Sequence, residues 1–306
     1  MDVQVRRQTG ADEDAVVALL AETGRQSLEV ATNTFRFVQS VALAELVAEV
    51  DGVIVGRAAV ARTPMMQADT VALNVGVTAS ARRRGVGAAL FDRTAENVPS
   101  GTGRLLAFTD DRDDDVVMAW LEARHFRPFQ HSIHSQLDLR TRPAVPDTTD
   151  RSDLTVELVD PYSTADDPGV IRLYEESDTS PEAQAIGALT WQKQLDGARV
   201  FGTEALLLLV RDPQGQPVAM SMAQHSEGRR WNVHYTGVLP QARGRALGRF
   251  AKAALHDALA ERGVEEIGTD NEASNTGIRH VNEQLGYRRD KGMRRHTRDL
   301  TADPLP

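Results

Sequence analysis

V-L-P-Q-A-R-G-R-A-L-G, residues Val238 to Gly248, decides how the rest of the chain is read. An apolar run ends on it, because Pro240 removes a ladder donor and restricts the residue before it, so a strand must stop there. Beyond it, Leu247, Phe250, Ala251, Ala254, Leu255, Ala258 and Leu259 recur at helical spacing, which makes Arg243 to Gly248 the opening of a helix. Such an opening is an anion site. Its first N–H groups have no intrahelical acceptor, the helix dipole adds partial positive charge, and Arg243, Arg245 and Arg249 add full charges.

The same pattern occurs earlier, in Val77 to Gly87 (V-T-A-S-A-R-R-R-G-V-G), again after an apolar strand, Val71 to Val77, and before a helical run. Gly87 and Gly248 lie 161 residues apart, and so do Phe126 and Tyr287 near the end of each segment. The chain is an internal duplication.

These residues carry a resemblance. Arg82, Gly85 and Gly87, and in the second copy Arg243 and Gly248, match the R/Q-x-x-G-x-G/A motif of the GNAT superfamily of acyl-CoA N-acyltransferases. The second copy continues with Thr269, Asp270, Asn271, Glu272, Ala273, Ser274 and Asn275, then Val281 to Tyr287 (V-N-E-Q-L-G-Y). It resembles the asparagine-bearing strand and last helix of tandem actinobacterial GNAT proteins of the mycothiol-synthase-like type, and the resemblance covers nearly the whole chain.

Composition sets limits. The 306 residues suggest two domains of about 150 residues, each large enough for its own core. With no cysteine, disulfides, thiolate-bound metals and a cysteinyl acyl-enzyme are excluded. No apolar run approaches the ~20 residues needed to span a membrane, and M-D-V-Q-V-R-R is not a secretory leader, so a cytoplasmic location is expected. A formal charge of -9 argues against a nucleic-acid polymer as partner. The arginine clusters suit a small anionic ligand instead.

In chain order, a first strand at Val3 to Arg6 and a helix over Ala11 to Ala21 precede a hairpin from Leu43 to Val60, turned at Asp51 and Gly52. After the first loop come a helix over Gly87 to Ala95, a strand over Gly103 to Thr109, a helix over Val116 to Ala123 and a strand over Ser132 to Leu139. Pro143, Pro146 and polar residues without periodicity mark a linker, so the division is 1–140, linker 141–153, and 154–306. The second half repeats the plan: strand Leu154 to Val159, helix Val170 to Ser177, hairpin Ala205 to Met222, strand Trp231 to Val238, helix Gly248 to Arg262, strand Glu265 to Thr269 and last helix Thr276 to Leu285. The expected class is α/β, two tandem GNAT-like domains, each a mixed, partly antiparallel sheet flanked by helices.

The resemblance implies that the loops cradle the pyrophosphate of coenzyme A, with Arg82, Arg83, Arg84, Gly85, Val86 and Gly87 in one copy and Arg243, Gly244, Arg245, Ala246, Leu247 and Gly248 in the other. It implies that the strand edge at Val77 or Val238 meets the pantetheine arm, and that Asn275 meets the coenzyme near its acyl end. The bland alternative is an arginine-rich helix start. The first copy has Asp114, Leu121, Arg124 and His125 where the second has Asn275, Asn282, Leu285 and Gly286, so the second is expected to carry the chemistry.

That chemistry needs an amine to lose a proton and a leaving thiolate to gain one. Many GNAT proteins place an acidic tyrosine where this chain has Asn282. His234 is the candidate base on chemical grounds, a hydrogen-bonded sheet histidine being the alternative. Tyr235 would face the other side of a regular strand. Glu175, Glu176 and Asp178 could attract a cationic amine, or form a solvated helix face. Asp110 to Asp115 lacks the glycine and terminal glutamate of an EF-hand loop, the histidines show no metal spacing, and no metal is expected.

The resemblance implies acetyl-CoA as donor and a small-molecule amine as acceptor, in a monomer or homodimer. A carrier-protein- or tRNA-bound donor, or a non-catalytic coenzyme-binding scaffold, are the rival readings.

Overall fold

The computed structural model describes residues 2–24, 42–62, 69–111, 115–144, 153–177, 190–201 and 204–305. The first half of the chain runs β1 (Gln4–Arg7), α1 (Glu13–Gly24), β2 (Ala42–Val50), β3 (Val53–Ala61), β4 (Thr70–Val77), α2 (Val86–Ala95), β5 (Arg104–Asp110), α3 (Asp115–Glu122) and β6 (Arg127–Asp138). The second half runs β7 (Thr155–Val159), α4 (Pro168–Ser177), α5 (Trp191–Phe201), β8 (Ala205–Arg211), β9 (Pro217–Glu227), β10 (Arg230–Val238), α6 (Leu247–Glu261), β11 (Glu266–Glu272), α7 (Thr276–Gln284) and β12 (Arg288–Asp299). The fold is mixed α/β, with mostly antiparallel strands flanked by helices.

Two compact units result. The first is Met1–Thr109, Asp113–Phe129 and Arg294–Pro306; the second is Asp110–Arg112 and Gln130–Met293. The units therefore do not part at the expected linker, 141–153. Backbone pairing is the reason: residues 132–138 of β6 pair with 266–272 of β11 inside the second unit. The chain's final segment belongs to the first, where the Leu300 N–H donates to the Gly103 carbonyl and His296 Nε2 meets Thr109 Oγ1 at 2.9 Å.

In the first unit β1 to β4 form antiparallel neighbours and β5 joins β4 in parallel. The hairpin turns where the sequence predicts: Asp51 and Gly52 both take positive φ, 51° and 78°, as a two-residue turn matched to strand twist requires. Val16, Leu20 and Val47 form the core beneath α1, and Leu46, Ala58, Val86 and Leu90 that beneath α2.

In the second unit β7 to β10 are antiparallel, β11 adds in parallel, and β6 pairs antiparallel with β11. Its core gathers Leu173, Trp191, Leu195, Leu207, Met220, Phe250, Leu255 and Ile267. Trp191 anchors α5 by donating its indole N–H to the Thr164 carbonyl at 3.2 Å. Among the described residues no helix is long and apolar enough to cross a membrane.

Candidate functional site

Both loops adopt the same backbone path. Arg83 and Gly244, 161 residues apart, take φ of 59° and 81°; Gly85 and Ala246, also equivalent, take 84° and 55°. Each loop thus needs two left-handed residues and supplies one as glycine and one not. Ala246 sits at the N-cap of α6 in that conformation, which costs a residue with a Cβ. The first arginine of each loop turns back on the strand: Arg82 Nε donates to the Val77 carbonyl at 3.1 Å and Arg243 Nε to the Val238 carbonyl at 3.4 Å. Arg243 also donates to the Ser177 carbonyl at 3.0 Å. Arg245 lies 3.4 Å from the Asp153 carboxylate, and Arg249 donates to Gln284 at 3.2 Å.

Glycine at 248 serves packing. A Cβ there would stand 3.3 Å from Val238 Cγ2, so the first turn of α6 lies directly on the end of β10. Arg84 and Val86 complete the first loop, Val86 being buried and Arg84 exposed.

Beyond the loop the sheet opens. β10 pairs with β11 only from Arg230 to Val233, although it continues to Val238 against β9. Beyond Val233 the β11-facing edge has no strand partner among the described residues, and the strands part. A cavity of about 950 Å³ occupies this slot, lined by Thr236, Val238, Gly244, Gly248, Asn275 and Val281 among others. Arg243, Ala246, Leu247 and Arg249 also border it. Helix N-terminus, parted strand edge and cavity coincide in the second unit.

The structure places the other candidates differently. Asn275 caps α7, its side chain accepting from the Ile278 N–H at 3.2 Å, and it lines the cavity. Asn282 does not line it; it is buried, with Oδ1 accepting from Lys252 Nζ at 2.7 Å. Glu175 and Glu176 are exposed, Glu176 pairs with Arg172 at 3.1 Å, and neither borders the cavity. Asp178 lies outside the described residues, as does Asp114.

His234 lies at the point of parting, in a bulge: Val233 and Tyr235 pair with the successive residues Ala223 and Met222. The alternation expected of a regular strand fails there. Tyr235 turns to α4, with its hydroxyl 2.7 Å from Ser177 Oγ. His234 reaches solvent yet is crowded by protein, which holds its pKa below the ordinary histidine value, while Asp270 acts in the opposite sense.

Two groups escaped the sequence reading. His134 of β6 lies opposite Asp270 of β11, with Nδ1 at 3.1 Å from the carboxylate. A Cβ at Gly268 would stand 2.9 Å from the His134 ring, so the missing side chain lets the imidazole lie across β11. Beneath the slot, Lys252 is 1% exposed, donates to Asn282 and, at 3.4 Å, to Thr269, and stands 4.6 Å from the Tyr287 ring centroid. Burial lowers its pKa from 10.5 to about 7. His256, one turn on, meets the Tyr287 hydroxyl at 3.0 Å, and burial pushes the histidine well down and the tyrosine well up. The signal for this network is the duplication itself: Phe91, Ala95, Leu121 and Phe126 stand where the second copy has Lys252, His256, Asn282 and Tyr287.

Comparison with known proteins bears on the fold and on the second half of the chain. Residues 168–287 match the family model described as the acetyltransferase (GNAT) family. A GCN5-related N-acetyltransferase from Sphaerobacter thermophilus is similar over 97% of this chain and 96% of its own, with TM-score 0.72 and 16% identity. A tandem GNAT protein from the clavulanic acid biosynthesis pathway is similar over 97% and 98%, with TM-score 0.70 and 20% identity. A glucosamine N-acetyltransferase region of a fungal multi-domain β-N-acetylglucosaminidase is similar over 97% of this chain and 38% of its own, with TM-score 0.74 and 16% identity. No curated protein matches the sequence. The chain therefore has the tandem GNAT fold and carries, over residues 168–287, an acetyltransferase domain of the GNAT family.

Proposed function

We propose that the protein is an N-acyltransferase that moves an acetyl group from acetyl-CoA to a primary amine of a small molecule, with the second unit carrying the chemistry. The family match supports acyl transfer. The observation that carries the finer reading is the cavity between the helix N-terminus and the parted strand. Phosphates would meet the N–H groups of residues 246–249 and the arginines. The arm would follow the free edge of β10, in a β-like backbone pairing, and its thioester would come to the point of parting at His234.

There the amine must be neutral to attack. His234, or His134 held by Asp270, supplies an acceptor for its proton, the second in the arrangement of a base whose other ring nitrogen is fixed by a carboxylate. The acceptor enters on the side of Asn232, His134 and Asp270. An antibiotic, an amino sugar or a biosynthetic intermediate would fit that polar face. The kinship with the mycothiol-synthase-like type rests on the residues quoted from the sequence.

The test is release of free CoA from acetyl-CoA with a panel of primary amines, in the wild type and in Gly244→Asp. Position 244 has open space around it and a left-handed φ of 81°, a conformation the non-glycine Arg83 adopts at the equivalent place, whereas a side chain at 248 would press on Val238. The carboxylate at 244 should raise the KM for acetyl-CoA at least tenfold. A wild type that neither binds acetyl-CoA nor releases CoA would refute the reading and favour a carrier-bound donor or a scaffold.

A further inference from the structure

The two copies differ at the place where the slot lies in the second. Trp120 of α3 is equivalent to Val281 of α7, which lines the cavity. A Cβ on Gly87 would stand 3.3 Å from the Trp120 indole Nε1 and 3.8 Å from Val77 Cγ2. The indole therefore reaches the first turn of α2 where that turn approaches the end of β4. At Gly248 the corresponding neighbours among the described residues are Val238 and Thr236, with nothing from α7 within 4 Å. The indole is also fixed. Its edge meets Phe91 with centroids 5.8 Å apart at 89°, and the Arg124 guanidinium stacks on it at 4.1 Å. Those partners are Lys252 and Leu285 in the second copy, neither of which could hold an indole in this way.

The first unit nevertheless keeps the rest of the arrangement. β4 pairs with β5 only over Thr70–Leu73 and runs on to Val77, and the loop has the left-handed residues and three arginines. We propose that the first unit is a closed copy of the coenzyme site, with Trp120 occupying the space an acyl-CoA arm takes in the second, so that one chain takes one acyl-CoA. The proposal rests on the acyl-CoA reading given above.

Calorimetric titration of acetyl-CoA into the full chain tests it. The wild type should take one equivalent, lost in Gly244→Asp and kept in Arg83→Glu. Trp120→Val, which installs the second copy's residue, should take two, and the added site should persist in Trp120→Val/Gly244→Asp. Trp120→Leu, a milder loss of packing, is measured beside it, with thermal melts reporting that each variant is folded. Two equivalents in the wild type, or one in both folded Trp120 variants, would overturn the proposal. A wild type that takes none, with one equivalent gained in the Trp120 variants, supports the closed copy and counts against the second unit as the acyl-CoA site. No binding by the wild type or any variant refutes the acyl-CoA reading, and the proposal falls with it.

Discussion

Lys252→Met exposes what the buried ammonium costs. In the unfolded chain the lysine holds its proton to about pH 10.5, whereas in the folded core it gives it up near pH 7. Between those values the unfolded state binds more protons, so stability rises with pH by about 1.4 kcal/mol per unit, to a total of about 5 kcal/mol. Below pH 7 the folded state carries the charge and the full cost stands. Burial holds His256 well below and Tyr287 well above their ordinary values, and because both residues are present in wild type and variant, their own contributions largely cancel in the difference between the two. Methionine has similar length and no charge, but leaves Asn282 Oδ1 without its donor, a loss of about 1–3 kcal/mol. The variant should therefore be more stable than the wild type by roughly 2–4 kcal/mol at pH 6 and less stable by about 1–3 kcal/mol above pH 10.5, crossing near pH 9. Urea unfolding followed by far-ultraviolet circular dichroism at a series of pH values measures the difference. A difference that stays flat within about 1 kcal/mol from pH 6 to 10.5 would show that this lysine is hydrated, and the reasoning would fail.

Two further substitutions probe backbone and packing. Ala246→Gly removes the Cβ from a left-handed residue at φ 55° and should stabilise the chain by about 0.5–1 kcal/mol, net of the added freedom of the unfolded state; a lower melting temperature would contradict it. Gly286→Ala places a Cβ 2.5 Å from Pro143 Cδ at φ 89°, and should cost more than about 2 kcal/mol in urea unfolding, whereas a neutral result would mean that residue 143 does not dock there.

The sequence shows the loops, both hairpins and the 161-residue repeat because each is written locally: an arginine-glycine helix start, a turn residue pair, a hydrophobic period. What it hid lacks such a period. β12, R-R-D-K-G-M-R-R-H-T-R-D, is held by backbone pairing and by half-buried arginine stems, so its composition resembles a solvated tail. α5 is the exception: W-Q-K-Q-L-D-G-A-R-V-F buries Trp191, Leu195 and Ala198 at helical spacing, but the run is short, has polar residues between them and carries a glycine in its middle, so the period passes unnoticed. At the site, the loop residues were legible, whereas the His134–Asp270 pair depends on β6 adding to β11, a partnership 136 residues apart that no spacing reveals. Asn282 was found as an odd residue at a familiar position. Its actual partner, Lys252, sits among Leu255 and Leu259 on a helix where a lysine normally signals the outer face.

The closing segments also govern how the molecule comes into being. Thr109 waits for His296, 187 residues downstream, before its unit is complete, and β11 needs a strand made some 130 residues before it. Contacts of such sequence separation slow folding, because loop closure must precede their reward. A nascent first half emerging alone would present β5 with a bare edge, the condition under which strands pair with the wrong neighbour. The gene's two repeats are thus not two folding modules, and cutting between them would yield neither.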